Sequence, residues 1–278
     1  MDYIIKDGWI VNGKKEKPFH GDLVIENGKI AEVGTHVEIP ADFPKERVLN
    51  AAGGYITPGF LDIHRHGDWQ AFGNGDDELL NRQGLTTVVN GNCGLSVAPA
   101  GEKFGKEIAR FLSSVTGDFH WGKDENTDDT EGVLFSKKKE ESCGISEKEI
   151  EIDALRIMST MSAYLSALGK EKRSVNTGML AGTIRASVKG YASGKLSKEE
   201  LHQVWKAVEE ALSAGALGIS LGIAYAPEFE YDRDGLVEAL QPLKGTDIPI
   251  TTHIRNEGDG ILLALQEVIS VAEKLQIP

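Results

Sequence analysis

The feature that most constrains this chain is a succession of five short apolar runs, at 59–66, 86–93, 176–181, 216–222 and 249–255, each followed by a longer stretch with helical spacing. Runs of strand length separated by helix-length connections do not make hairpins; they build a parallel sheet from βα units. The clearest helix opens at Ser197, whose hydroxyl can cap the first turn while Glu200 completes a capping box. Leu201, Val204, Trp205, Val208 and Leu212 then share one face, and Gly215 suits the end. The last helix, about 258–275, carries Ile261, Leu262, Leu265, Val268 and Ala272 on one stripe. The expected class is therefore α/β: a partial (β/α)8 barrel of the TIM type with about five βα units, spanning 54–278. A barrel closes at eight strands, so five leave sheet edges to be satisfied.

Ahead of that region, residues 1–53 read as a small β domain, sandwich-like, with strands at 3–6, 8–11, 22–25 and 29–33. Asn12-Gly13 and Asn27-Gly28 supply its tight turns. Within the larger region, about 100–152 is too charged for core, with acidic residues concentrated at 124–130 and lysines at 137–141. It is expected to be a polar insert, either a lid or a solvated excursion.

A length of 278 residues with 40% apolar content can bury a sizeable core. The net charge of -13 argues against a nucleic-acid partner and gives an anionic membrane surface nothing to attract. Residues 1–8 lack a basic segment followed by an apolar one, and no run approaches the ~20 apolar residues of a membrane span, so a cytoplasmic location is expected. Two cysteines, Cys93 and Cys143, are too few for a disulfide framework and in a reducing compartment remain available to metals.

Position decides which side chains carry chemistry. His64 and His66 end the first run of the βα region, and the two-residue period of a strand points both imidazoles to one face. A His-x-His pair is also an ordinary surface or core pair; its place at a strand end, where parallel barrels keep their sites, sets this one apart. Cys93 ends the second run between Gly91 and Gly94, where a thiolate could ligate zinc or a thiol could simply fill space. His253 ends the fifth run. Sulfur together with imidazole selects zinc over magnesium or calcium, and an incompletely ligated zinc suits hydrolysis. His20, His36, His120 and His202 have no comparable setting, and Asp62 is assigned a structural place.

The motifs then acquire a family likeness. The segment from Tyr55 to Cys93, with Thr57-Pro58-Gly59-Phe60-Leu61-Asp62-Ile63-His64-Arg65-His66, resembles the opening of the amidohydrolase superfamily. Residues 91–96 (Gly-Asn-Cys-Gly-Leu-Ser), 213–222 and 253–258 (His-Ile-Arg-Asn-Glu-Gly) resemble the D-aminoacylase branch in the same order. That resemblance implies zinc-dependent hydrolysis of the amide bond of N-acyl-D-amino acids, with one or two zinc ions. It implies a tighter site at Cys93 and His253, a weaker one at His64 and His66, and Tyr225 as the group that holds the substrate carboxylate.

Two departures stand out. Ala181-Gly182-Thr183-Ile184-Arg185 lacks the histidine expected after the glycine, and the family's sixth-strand zinc histidine, its lysine and its general-base aspartate are expected beyond residue 278. Hydantoinases and dihydroorotases share the His-x-His opening but resemble one another in a carbamylated strand-four lysine, and 216–222 contains none. The non-enzymatic alternative is a truncated, inactive or split half that binds metal without turnover. Its partner would be a complementing C-terminal half docking at the edge of the fifth strand; a homo-oligomer is the other partner considered.

Overall fold

The structure is a computed structural model that describes residues 1–72, 77–116 and 147–278, with backbone alone for 147–152. It divides into two compact units, Met1–Phe60 and Leu61–Pro278.

In the first unit, Asn27 and Gly28 both adopt positive φ, 52° and 70°. This is the backbone that a two-residue hairpin with right-handed strand twist demands, and it joins β2 (Phe19–Glu26) to β3 (Lys29–Gly34). The runs expected at 3–6 and 8–11 form one strand, β1 (Tyr3–Ile10), whose pairing with β2 slips between Ile5 and Gly8. With β4 (Val48–Asn50) the sheet order is β3-β2-β1-β4, and β5 (Tyr55–Ile56) also pairs with β1. Strands β4 and β5 run parallel to β1, which is why the unit extends past the composition change expected at residue 53. Its buried cluster is small, Ile4, Val24 and Val37. The described residues of this unit form one sheet; the second layer of a sandwich is not among them.

The second unit carries β6 (Phe60–Asp62) at its boundary, then β7 (Leu85–Asn90), β8 (Asn176–Met179), β9 (Ile219–Gly222) and β10 (Ile250–His253). They pair as β6-β7-β8 and β9-β10, and a parallel bridge between Ala181 and Ile219 joins the two sets. The β7/β8 and β9/β10 pairs are parallel. Spatial order therefore follows chain order, as successive βα units require. The strands are shorter than the apolar runs, so His64, His66 and Cys93 lie just past the strand ends on the connecting turns.

Eight helices are described: α1 (Asp77–Arg82), α2 (Gly105–Thr116), α3 (Glu147–Ser159), α4 (Met161–Leu168), α5 (Ile184–Lys189), α6 (Lys198–Ala214), α7 (Arg233–Ala239) and α8 (Ile261–Leu275). The capping box at Ser197 and Glu200 forms, and Gly215 ends α6 at φ 111°. Helix α6 buries Val204, Val208 and Ala211 in the main core with Met158, Met161, Tyr164 and Ile219.

Two expectations change. Helix α2 lies inside the stretch expected to be a polar insert, yet Ile108 and Leu112 are fully buried; the charge that marked the insert belongs to residues further on, and 117–146 lie outside the described residues. Helix α8 is apolar on more than one side. It buries Ala264, Val271 and Leu275, while Ile261, Leu262 and Leu265 of the expected stripe are exposed, Leu262 at 77% and its neighbour Leu263 at 75%. Among the described residues no helix is long and apolar enough to cross a membrane.

Candidate metal centre

The turn after β7 is built for close approach. Gly91, Cys93 and Gly94 all take positive φ, 77°, 57° and 66°. A Cβ at Gly91 would strike the Leu180 carbonyl, and one at Gly94 would strike the backbone of Gly222 and the carboxylate of Glu228. Only glycine fits where strands converge so tightly, and the reversal swings the Cys93 side chain towards the end of β6.

Hydrogen bonds from β9 and from the segments that follow β6 and β8 hold this turn. Asp68, wholly buried, accepts from the Gly91 N–H at 3.1 Å and the Val97 N–H at 3.0 Å, bracketing the turn. Ser220 of β9 accepts from the Gly94 N–H at 3.0 Å and donates to the Gly91 carbonyl. The Thr183 N–H bonds the Gly94 carbonyl at 3.0 Å, and Asn92 donates to Ile63 O at 3.2 Å and Val89 O at 3.0 Å. Burial lifts the Asp68 carboxyl to about 7 against the pull of those two N–H groups.

This scaffold brings together three of the residues expected to bind metal. One donor atom from each of His64, His66 and Cys93 lies within 4.8 Å of the others. His64 Nε2 stands 3.2 Å from Cys93 Sγ. A tetrahedral zinc, with bonds of ~2.0–2.3 Å, keeps its donors roughly 3.3–3.7 Å apart, so this pair stands slightly closer than two ligands of one ion and would open a little to hold it. His66 Nδ1 is buried without a hydrogen-bond partner among the described residues, the orphaned lone pair or proton that a ligand or ion would satisfy. Desolvation, with the charges of His64 and His253, lowers the His66 pKa and so favours the neutral imidazole that metals require. Burial, with the charge of Glu257, raises the Cys93 pKa.

The fourth expected ligand, His253, stands outside that trio. Its Nε2 lies 3.7 Å from Glu257 and its ring packs edge-on against Tyr225 with centroids 5.3 Å apart. It remains in the neighbourhood, since its charge reaches His66. The Tyr225 hydroxyl, expected to face an anion, donates to the Cys93 carbonyl oxygen. Of the histidines without an expected role, His20 pairs with Asp7 and His202 packs on Trp205, and His120 lies outside the described residues. Asp62 accepts from the His64 N–H at 3.2 Å, a local turn contact in keeping with its structural place.

The sequence did not single out Asp68, Ser220, Glu228 or Glu257. Ser220 and Asp68 had a signal: the first is a polar residue within the apolar run 216–222, the second a carboxylate two residues after the run 59–66. Glu228, 4% exposed, accepts from the Gly222 N–H and lies within the field of Arg185; burial lifts its pKa to about 7. Nothing local in the sequence marks it as buried.

No family model matches the chain. Among curated proteins it is 29% identical to an N-acyl-D-glutamate deacylase of Alcaligenes xylosoxydans xylosoxydans, over 99% of this chain and 48% of that protein. It is also 29% identical to an N-acyl-D-aspartate deacylase of the same organism, over 99% of this chain and 47% of the relative. Among solved structures, a D-aminoacylase studied for one-metal activation and second-metal attenuation of its binuclear centre superposes with a TM-score of 0.73 at 27% identity. That match covers 100% of this chain and 50% of the other. An N-acyl-D-glutamate deacylase from Bordetella bronchiseptica, complexed with zinc and a phosphonate mimic of the tetrahedral intermediate, gives 0.72 at 25% identity, covering 99% and 50%. The chain spans about half the length of the curated relatives it matches.

Proposed function

From a chain that matches an N-terminal portion of the D-aminoacylase branch of the amidohydrolases, we propose that this protein contributes the metal-holding part of a zinc-dependent hydrolase that cleaves the amide bond of N-acyl-D-amino acids. The observation that carries the reading is the convergence of His64, His66 and Cys93 within 4.8 Å at the ends of neighbouring strands. It is supported by a zinc-bound relative whose inhibitor mimics a tetrahedral intermediate. Strands β6 to β10 are then five consecutive units of a (β/α)8 barrel whose site lies at the strands' C-terminal ends.

In this reading Cys93 and His64 would hold zinc, with His66 and, from β10, His253 as further ligands, for one ion or two. Zinc held there supplies Lewis acidity, drawing the pKa of water down towards ~7 and polarising the amide carbonyl. The chain's own part is positional. Ser220, Asp68 and Thr183 keep the 91–97 turn fixed so that Cys93 presents its sulfur without reorganisation. Partial burial of His66 lowers its pKa and so favours the neutral imidazole. The carboxylate that takes the water's proton and returns it to the leaving amine is expected from strands other than these five. The exposed face of α8, with Leu262, Leu263 and Ile269, favours the companion reading that turnover needs those further strands packed alongside.

The test is zinc content beside hydrolysis of a panel of N-acetyl-D- and N-acetyl-L-amino acids, for the chain and for Cys93→Ala. Bound zinc and D-specific turnover, both lost in the variant, are expected of a self-sufficient enzyme. Zinc without turnover would restrict this chain to the metal-holding half, and absence of zinc would overturn the reading.

A further inference from the structure

Tyr225 stands between two ligands that come from different strands. Its phenol donates to the backbone carbonyl of Cys93, on the turn after β7, and its ring lies against His253, at the end of β10, at 5.3 Å and 62°. Gly222 makes the arrangement possible, because a Cβ there would strike both the Cys93 carbonyl and the Tyr225 ring. Glu228 fixes Gly222 in turn by accepting its N–H. A phenol has one hydrogen to donate, and here it is spent on protein backbone.

Resting on the zinc reading above, we propose that Tyr225 is a positioning residue for the metal centre. Its hydroxyl anchors the Cys93 turn while its ring buttresses His253, which sets the spacing between the second-strand sulfur and the fifth-strand imidazole. This role differs from holding a substrate carboxylate, which would need the hydroxyl hydrogen directed at the ligand. Outer partners of this kind typically change metal affinity by ~10–100-fold when removed.

Cobalt(II) tests the inference without reference to turnover, because a thiolate ligand gives a charge-transfer band and the visible ligand-field bands report the geometry of the ligand set. The full chain, Tyr225→Phe and Tyr225→Leu are titrated with cobalt chloride, and zinc affinity is read by competition. Tyr225→Phe is expected to bind about tenfold more weakly and to shift or weaken the thiolate band, through loss of the turn anchor alone. Tyr225→Leu is expected to lose more and to change the ligand-field bands as well, because His253 loses its buttress. Circular dichroism and thermal unfolding without metal show whether each variant is folded; should the leucine variant unfold, the phenylalanine variant decides. A Tyr225→Phe protein with unchanged cobalt affinity and band overturns the inference, even if it melts earlier, and leaves the metal reading intact. A parent chain with no thiolate band overturns the metal reading and this inference with it.

Discussion

The two corners that meet at the candidate metal centre are built differently. The Cys93 corner is a turn at which three residues take positive φ, and backbone groups are bonded by Asp68, Ser220, Asn92 and Thr183. The His253 corner is a strand end in which every residue of β10 is half-buried, and the Oγ1 atoms of Thr251 and Thr252 are buried without hydrogen-bond partners. Its rigid point is Arg255, which bonds Glu267 and the carbonyls of Ile223, Phe229 and Tyr231, whereas the His253 side chain is placed by ring packing on Tyr225 and a 3.7 Å approach to Glu257. On the proposed reading, Cys93 is held in place before any ion binds, whereas His253 is ordered less. Metal affinity and fold stability should therefore respond unequally at the two corners.

The largest effect is expected where the preorganised corner is cut at its root. Asp68→Ala leaves the Gly91 and Val97 N–H groups buried without acceptors, at ~1–3 kcal/mol each, so a loss of about 2–6 kcal/mol is expected in denaturant unfolding. Asp68→Asn keeps one carbonyl acceptor and should lose less. Equal stability of Asp68→Ala and the parent would break the claim that this carboxyl holds the turn. Next comes Cys93→Ser, which keeps the turn but replaces soft sulfur. Zinc affinity should fall by more than the ~100-fold ceiling typical of an outer partner, with little change in unfolding of the metal-free chain. A smaller loss would move Cys93 out of the ligand set.

Glu228 sharpens the comparison through pH. Its carboxyl, lifted to about 7 by burial against the pull of the Gly222 N–H and Arg185, sits under the junction of the two corners, with Tyr191, Tyr225 and Tyr231 in its field. A carboxyl whose folded pKa lies above its unfolded value near 4.5 binds more protons when folded. Its contribution to stability is complete below about pH 4.5 and is lost as pH rises through about 7. Glu228→Gln, neutral at every pH and still able to accept from Gly222, should flatten that part of the stability profile. The variant should match the parent near pH 5 and exceed it by a few kcal/mol near pH 8. An unchanged slope between pH 5 and pH 8 would show that this group does not titrate with folding.

Much of this was legible in the residues because strand ends are. His64, His66 and the glycine-flanked Cys93, picked out at the ends of two apolar runs, each bring one donor atom within 4.8 Å of the others, but from turns just past the strand ends and not from one strand face. The capping box at Ser197 formed as read because it is local chemistry, settled within one turn. What escaped the sequence depends on contacts far apart in the chain. Ser220 reaches Gly91 and Gly94 across more than a hundred residues, and Glu228 is buried by elements that composition cannot place. The packing face of α8 was misread because leucines and isoleucines surround it, so periodicity offers more than one stripe and only the neighbours choose. The burial of α2 was missed because the polar residues after Thr116 dominated the composition of the stretch.

The smallest predicted effect falls on the looser corner. On the proposed reading, His253→Ala removes a ligand that stands outside the His64, His66 and Cys93 group and beside Glu257, so part of its binding energy goes into ordering the side chain and parting it from Glu257. Zinc affinity should therefore fall by about tenfold, roughly 1.4 kcal/mol, well short of the loss at Cys93. The change should appear mainly as faster zinc release, because the ion still lands on the preorganised pair. Calorimetry beside chelator-driven dissociation measures both. A loss as large as that of Cys93→Ser would mean that the corners are equivalent once metal is bound, and that the asymmetry belongs to the metal-free protein alone.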